Sequence, residues 1–412
     1  MIETPVCIVG AGPGGATAAL KLDQLGIPCV LVDKATFPRD KVCGDALSGK
    51  VVTLLDRIDP AIMENFQETT TQVPSYGIKV VAPNDKILKV PFKRPYDIDT
   101  DPPPGFVSKR LDFDNFLIEE VKKKKHIQLI EGIGIESYEK LPDGYRLKSK
   151  DGGLDIKTTM LFAADGAYSK FSKKVLGIPK EPKHYAGAVR AYYQNVEHMD
   201  EHNFIELHYI KDFVPGYFWI FPLPNGEANV GAGMLSHLVQ KKKVNLREKM
   251  VEIIENYEPV KERFKNAKLV GGIKGFGLPL GSRRHKIYGD HFMVLGDAAH
   301  LIDPFTGEGI GNAMYSGVIA AEQMQKCIAA KNYSEAFLKD YYTRVFRVLG
   351  QELMIGYQLQ RIARYPALFN TFANFAFRNE KLVDVMTSMF TDIDLRKKLA
   401  NPMFLLKMML NR

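Results

Sequence analysis

The sequence predicts an α/β fold. A Rossmann-type nucleotide-binding domain is interrupted by an inserted mixed β-sheet domain and followed by C-terminal helices. Three observations carry this expectation. A glycine-rich turn, Gly10-Ala11-Gly12-Pro13-Gly14-Gly15, stands between an apolar run and a helix-forming stretch. Two further motifs, Asp165-Gly166 and Gly296-Asp297, each follow another apolar run far downstream. Between them, segments with alternating apolar and polar residues mark half-buried strands of a second domain.

In chain order, residues 5–9 read as a buried strand, 12–26 as a turn and helix, and 29–33 as a second strand. Together they form a βαβ unit. A helix is expected over 49–55. Segment 73–106 is richer in proline and β-formers and leaves for the inserted domain. A helix over 112–124 places Phe113, Phe116, Leu117 and Val121 on one face. Strands are expected at 128–130, 145–148 and 159–164, and alternating runs at 188–193 and 204–209 return to the second domain. Residues 292–295 form another core strand, followed by a loop, a long helix over about 307–330 and mostly helical sequence to the end. The expected division is 1–72, 105–182 and 268–333 for the nucleotide-binding domain. The inserted sheet domain takes 73–104 and 183–267, and the C-terminal helices take 334–412.

The chain has 412 residues, 45% of them hydrophobic and 25% charged, as in an ordinary globular protein. Its net charge of +8 can favour anionic partners, yet no nucleic-acid motif accompanies the lysine runs at 122–125 and 241–243. These runs read as solvated helix faces. The four cysteines (Cys7, Cys29, Cys43 and Cys327) show neither a CxxC pair nor metal-ligand spacing, so no metal site is expected and reduced thiols in a cytoplasmic protein are. The chain enters a strand at once, which is unlike a signal peptide. No apolar run reaches the ~18 residues of a spanning helix.

The turn Gly10-x-Gly12-x-x-Gly15 has the form of a dinucleotide fingerprint: room for a tight turn, for a pyrophosphate and for helix–sheet packing. The helix after Pro13 and Gly14 offers unpaired N–H groups to phosphates. Asp33, at the end of the second strand, is placed to accept hydrogen bonds from ribose hydroxyls. The fingerprint alone fits FAD or NAD. The later motifs favour FAD, because the chain resembles FAD-dependent enzymes of the para-hydroxybenzoate hydroxylase fold (the glutathione-reductase-2-like group). Their second and third motifs are matched by Asp165-Gly166, with Ser169, and by Gly296-Asp297. The resemblance implies a ribityl contact from Asp297 and a helix N-terminus near Pro304, Gly307, Gly309 and Ile310 aimed at the flavin pyrimidine edge. It implies further cofactor contacts from Lys34, Arg39, Cys43, Gly44, Gly134 and Arg110, with a surface helix-entry arginine as the alternative for the last. No second glycine fingerprint and no CxxxxC pair occur. Electrons are therefore expected from an external carrier, NAD(P)H or a ferredoxin.

Tyr217-Phe-Trp219-Ile-Phe221-Pro, followed by Gly231-Ala-Gly233, narrows the chemistry. This segment resembles the YxWxFP…GxG signature of the geranylgeranyl reductase family, as does the Pro38–Asp45 loop carrying Cys43. Glu308 and Asp45 depart from residues common in relatives. The resemblance implies reduction of isolated C=C bonds in isoprenoid chains by reduced FAD. Tyr217, Trp219 and Phe221 share one strand face, either as a substrate wall or as plain core. Gly231 and Gly233 allow close approach of a ligand or a neighbouring strand. Tyr217 and Trp219 can stabilise developing cationic character by about 1–2 kcal/mol. Cys43 either lies near the flavin ring, where it tunes the flavin or assists proton delivery, or packs as a small residue. Among the histidines, His300 follows the third motif and can flank the flavin, while His208 and His285 have no evident partner.

Near the C-terminus, Leu368, Phe369, Phe372 and Phe375 lie at helical spacing. Met386, Met389 and Phe390, and then residues 402–410, form further apolar clusters. They read as packing helices, with a collar for a lipid tail or a peripheral membrane helix as the functional alternative. Two rival functions share the cofactor: an aromatic monooxygenase or halogenase of the same fold, and a non-catalytic flavin electron carrier. Halogenases carry WxWxIP where this chain has Tyr217 and Phe221, which favours the reductase.

Overall fold

The computed structural model describes residues 1–93 and 95–376, together with Asn379, Val383 and Thr387. The C-terminal clusters at Met386, Met389, Phe390 and 402–410, and the side chain of Phe372, lie outside the described residues. The first sheet has the strand order Tyr288–Gly289, Phe292–Val294, Asp155–Ala163, Ile2–Val9, Cys29–Val32 and Ile127–Ile130. From Phe292–Val294 onward these strands run parallel. Helices cover both faces of such a sheet, so its strands are continuous apolar runs, here Val6 to Ile8 and Cys29 to Val32, all buried.

Helix boundaries follow local chemistry. The helix expected over 49–55 continues to Ile58. It stops at Asp59 because Pro60 starts the next helix and holds Asp59 extended, at φ −164° and ψ 117°. The helix expected over 112–124 spans Arg110–Lys122, and Arg110 reaches one turn forward to Asp114. The long helix begins at Ile310 rather than 307, since Gly307 sits at φ 77° and cannot belong to a right-handed helix.

The second sheet has the order Lys268–Pro279, Tyr185–Gln194, Glu227–Leu235, Tyr217–Pro222, Ile205–His208, Gly77–Val81 and Ile87–Pro91. It is mixed, because Ile205–His208 and Gly77–Val81 pair parallel while their neighbours are antiparallel. One domain boundary moves. Residues 268–279 were expected in the nucleotide-binding part, but they pair with Tyr185–Gln194 as an edge strand of this sheet. The segment is glycine-rich and largely exposed, so it lacks the alternation that marks a half-buried strand.

Alternation along Tyr217–Pro222 splits its side chains between two cores. Phe218 and Ile220 pack beneath the Leu246–Asn256 helix with Met250, Ile253 and Ile254. Trp219 and Phe221 face the other way, in a core that also holds Leu207, Phe305, Ala363 and Phe369. The C-terminal helices Glu335–Ile362 and Pro366–Ala376 thus close over the Trp219 face. Phe369 is buried there while Leu368 is half exposed. A buried ion pair, Lys50 Nζ to Glu352 Oε1 at 2.5 Å, ties the Glu335–Ile362 helix to the first domain. Among the described residues, no helix is long and apolar enough to cross a membrane.

Candidate active site

One cavity of about 500 Å³ lies between the parallel sheet, the second sheet and the third-motif loop. Of the residues expected at the cofactor, all but Gly15 line it, from Gly10 and Asp33 through Asp165 to Ile310. Of those expected at the substrate, Tyr217, Trp219, Phe221 and Gly233 line it and Gly231 does not. The two exceptions act from behind the wall. A Cβ on Gly15 would lie 1.9 Å from the Gly10 oxygen, so this glycine lets the helix start against the turn. Gly10 itself takes φ 105°, and a Cβ there would meet the Ala164 oxygen at 2.2 Å. Gly231 makes room for the indole of Trp219, whose Cζ2 a Cβ there would meet at 2.1 Å.

The cavity fits FAD on three observations of the chain itself. The Pro13–Gln24 helix starts at Gly12 with no side chain capping it, leaving its first N–H groups for a phosphate. Asp165 accepts from the Lys170 N–H at 2.8 Å through Oδ2, while its Oδ1 is buried without a partner on the same wall. Asp33 lines the cavity while its Oδ2 and Oδ1 accept from Ala11 N–H at 2.7 Å and Ala35 N–H at 2.8 Å. Each carboxylate oxygen keeps lone-pair capacity for a hydroxyl. FAD is the cofactor of this site.

Ion pairs fasten the loop between Pro38 and Asp45 on several sides. Arg39 pairs with Asp114 at 2.5 Å, Asp40 with Arg190 at 2.8 Å and Lys274 at 2.7 Å, and Lys41 with Asp297 at 3.0 Å. Asp297, expected at a ribityl hydroxyl, therefore also anchors this loop. Arg110 is no surface residue: it is 3% exposed and bidentate to Asp114 at 2.6 Å twice. Burial opposes the Asp114 charge, but Arg110 and Arg39 hold its carboxyl below the usual range. The shape of the loop is set by charges at some distance in sequence.

The aromatic residues form a continuous wall. Ring centroids are 6.0 Å apart for Tyr217 and Trp219 and 6.3 Å for Trp219 and Phe221. Tyr217 donates its hydroxyl to the Thr306 oxygen at 3.1 Å, joining the wall to the third-motif loop. Phe221 touches Gly44, where a Cβ would sit 2.6 Å from its ring. Cys43 is half buried, and its carbonyl accepts from Asn229 Nδ2 at 2.7 Å.

Sequence reasoning missed several residues here. Asp45 is fully buried at φ 70°, accepting from Asn229 Nδ2 at 2.7 Å and the Tyr192 hydroxyl at 2.8 Å. Burial pushes its carboxyl up to about 6. Asp303, next to Pro304, is also pushed up to about 6, by burial and then by Glu352. The available signal was a polar Asn229 inside the apolar run Glu227–Leu235. His300 does not line the cavity; it packs on Tyr185 and His285. His208 has a partner after all, Glu206 at 3.0 Å, which also pairs with Arg263 at 2.8 Å. Among the described residues, no group of His, Cys, Asp and Glu is arranged to hold a metal ion.

A family model of the FAD binding domain matches residues 3–344. The chain is 32% identical over 352 residues to the digeranylgeranylglycerophospholipid reductase of Methanococcus vannielii, covering 82% of this chain and 81% of that one. It is 28% identical over 405 residues to the menaquinone reductase of Mycobacterium tuberculosis, covering 94% and 92%. Among solved structures it is similar to a geranylgeranyl bacteriochlorophyll reductase-like protein of Thermoplasma acidophilum, with a TM-score of 0.81 at 21% identity over 97% of this chain and 100% of that chain. A flavin-dependent brominase matches with a TM-score of 0.77 at 20% identity, over 94% and 93%. At such identities the solved structures establish the shared fold alone.

Proposed function

The chain belongs to the geranylgeranyl reductase family of FAD-dependent oxidoreductases, and on that premise we propose that it reduces isolated carbon–carbon double bonds in the isoprenoid chain of a lipid. The observation that carries this reading is the aromatic wall of Tyr217, Trp219 and Phe221, which lines the same cavity as the three cofactor motifs. The name of the relative from M. vannielii denotes a digeranylgeranyl lipid as substrate, which supports the same class.

The residues suit the task. The open N–H groups after Gly12 would hold the pyrophosphate, Asp33 and Asp165 would take hydroxyls, and Asp297 would take a ribityl hydroxyl. Bound and reduced, FAD supplies hydride. An unpolarised alkene must meet hydride and proton away from water, and the Ile205, Leu207, Trp219 and Phe305 side chains of the cavity exclude it. Apolar burial holds the prenyl chain at ~25 cal/mol per Å² of covered surface. The faces of Trp219 and Tyr217 stabilise tertiary cationic character as the proton arrives, by about 1–2 kcal/mol. Cys43 lines the cavity beside Arg110, where it would contact the flavin. Electrons come from an external carrier, and the lipid is collected at a membrane surface.

The test is anaerobic. Dithionite-reduced protein is mixed with prenyl lipids of several head groups, following flavin reoxidation and product mass. The expected result is reoxidation together with a gain of one H₂ per double bond reduced. Reoxidation only after oxygen is admitted, with an oxygenated or halogenated product, would overturn the reading in favour of the monooxygenase or halogenase. Bound FAD that no prenyl lipid reoxidises would favour an electron carrier.

A further inference from the structure

The cofactor loop and the substrate wall come from remote parts of the chain, and one buried side chain bonds to both. Asn229 is fully buried in the Glu227–Leu235 strand, opposite Phe221 on one side and Tyr192 on the other. Its Oδ1 accepts from Trp219 Nε1 at 2.9 Å. Its Nδ2 donates to the Cys43 carbonyl at 2.7 Å and to Asp45 Oδ2 at 2.7 Å. The orientation of this amide is dictated by its partners, because an indole N–H can only donate and a backbone carbonyl can only accept. Flipping it would set donor against donor and acceptor against acceptor.

The far end of the link is equally fixed. Asp45 Oδ2 also accepts from the Tyr192 hydroxyl at 2.8 Å, and Oδ1 accepts from the Arg110 N–H at 3.2 Å. Asp45 keeps φ 70°, a left-handed conformation unfavourable for a residue with a Cβ, and such strain persists where surroundings over-determine it. One residue earlier, Gly44 is pressed against the Phe221 ring with no room for a methyl group. Cys43, Gly44 and Asp45 therefore each touch the aromatic strand or its neighbour.

We propose that Asn229 is a positioning residue that couples the Cys43–Asp45 loop to the Trp219 wall, so that one set of hydrogen bonds fixes both the cofactor side and the substrate side of the cavity. Its bearing on prenyl reduction rests on the proposed function above, but the coupling itself does not. Asn229 does not itself line the cavity. It sets the position of the indole and the path of the adjoining loop, and hence the shape of the cavity that both line.

Trp219 is the only tryptophan in the chain, so its emission reports this link directly. Asn229→Leu removes all three hydrogen bonds at similar size. Asn229→Asp keeps an acceptor for the indole and loses the donor to Cys43 and Asp45. The expected result for Asn229→Leu is a shifted Trp219 emission with greater acrylamide quenching, a changed visible spectrum of bound FAD, and FAD affinity weakened about tenfold. For Asn229→Asp the emission stays close to wild type while the FAD spectrum and affinity change. In a cycle with Trp219→Phe, losses of FAD affinity are non-additive, as for residues of one network.

Unchanged Trp219 emission and FAD affinity in Asn229→Leu would overturn the coupling, as would strictly additive losses. Should Asn229→Leu not fold, Asn229→Asp and Trp219→Phe decide: an unaltered FAD spectrum in both overturns it. Where wild type reduces prenyl lipids, Asn229→Asp is expected to lower the reduction rate more than it raises the lipid KM. Emission and flavin changes in a protein that reduces no prenyl lipid would leave the coupling standing and remove the proposed function.

Discussion

Gly231 and Gly233 share a sequence motif but differ in surroundings, and replacing each by alanine separates them. A Cβ on Gly231 would lie 2.1 Å from Trp219 Cζ2 and 2.3 Å from the Val189 oxygen. Carbon atoms in contact sit at about 3.5–4.0 Å, so the methyl group intrudes by roughly 1.5 Å on both an indole and a neighbouring strand. Overpacking of this kind costs about 1–3 kcal/mol. Trp219 must also move, losing its 2.9 Å hydrogen bond to Asn229, for about 0.5–1.5 kcal/mol more. Gly231→Ala is expected to destabilise the protein by about 2–4 kcal/mol. At Gly233 the nearest atoms to a Cβ are Ala188 Cβ at 3.5 Å, Gly187 O at 3.6 Å and Trp219 Cζ3 at 3.8 Å, all ordinary contacts. Gly233→Ala is therefore expected to change stability by less than about 0.5 kcal/mol, as at an unstrained site, while narrowing the cavity it lines. Urea denaturation followed by circular dichroism measures both. Equal stabilities for the two variants, or a larger loss at Gly233, would contradict this difference in surroundings.

Three further outcomes follow from the same geometry. Gly15→Ala sets a methyl group 1.9 Å from the Gly10 oxygen; a cost of about 1–3 kcal/mol is expected at the phosphate turn, read as loss of FAD on desalting. Lys50→Met removes the ammonium of the buried Lys50–Glu352 pair, and denaturation should show a loss of about 3–5 kcal/mol. His300, facing His285, Asp297 and His184, is pulled down to about 4 from 6.5, first by burial and then by His285. Below pH 6.5 the unfolded chain therefore takes up a proton that the folded one refuses. This stabilising contribution is full above 6.5 and is lost as pH falls toward 4, by up to about 3 kcal/mol. His300→Asn, which tolerates the φ of 55° at this position, should flatten that part of the melting-temperature profile. Asp45 and Asp303, both raised to about 6, act in the opposite sense, so the difference between variant and wild type is the quantity to measure.

The cofactor and the order of elements were legible in the amino-acid sequence. Gly10 to Gly15, Asp165-Gly166 and Gly296-Asp297 are legible because each needs only local conditions, an apolar strand leading into a tight turn. The two faces of Tyr217–Pro222 were legible for the same reason, since strand alternation is local and the packing of Phe218 and Ile220 away from Trp219 obeys it. Tertiary structure decided what depends on partners distant in sequence. It moved residues 268–279 into the second sheet, since edge pairing with Tyr185–Gln194 outweighed a glycine-rich composition. It brought Arg39 to Asp114 across 75 positions, and it gave Lys41 to Asp297 across 256 positions. Above all it placed Asn229 between Trp219 and Asp45, a contact spanning 184 positions that no spacing rule encodes. Short-range patterns follow from backbone geometry, whereas a buried polar group finds its partner only once the sheets have closed over it.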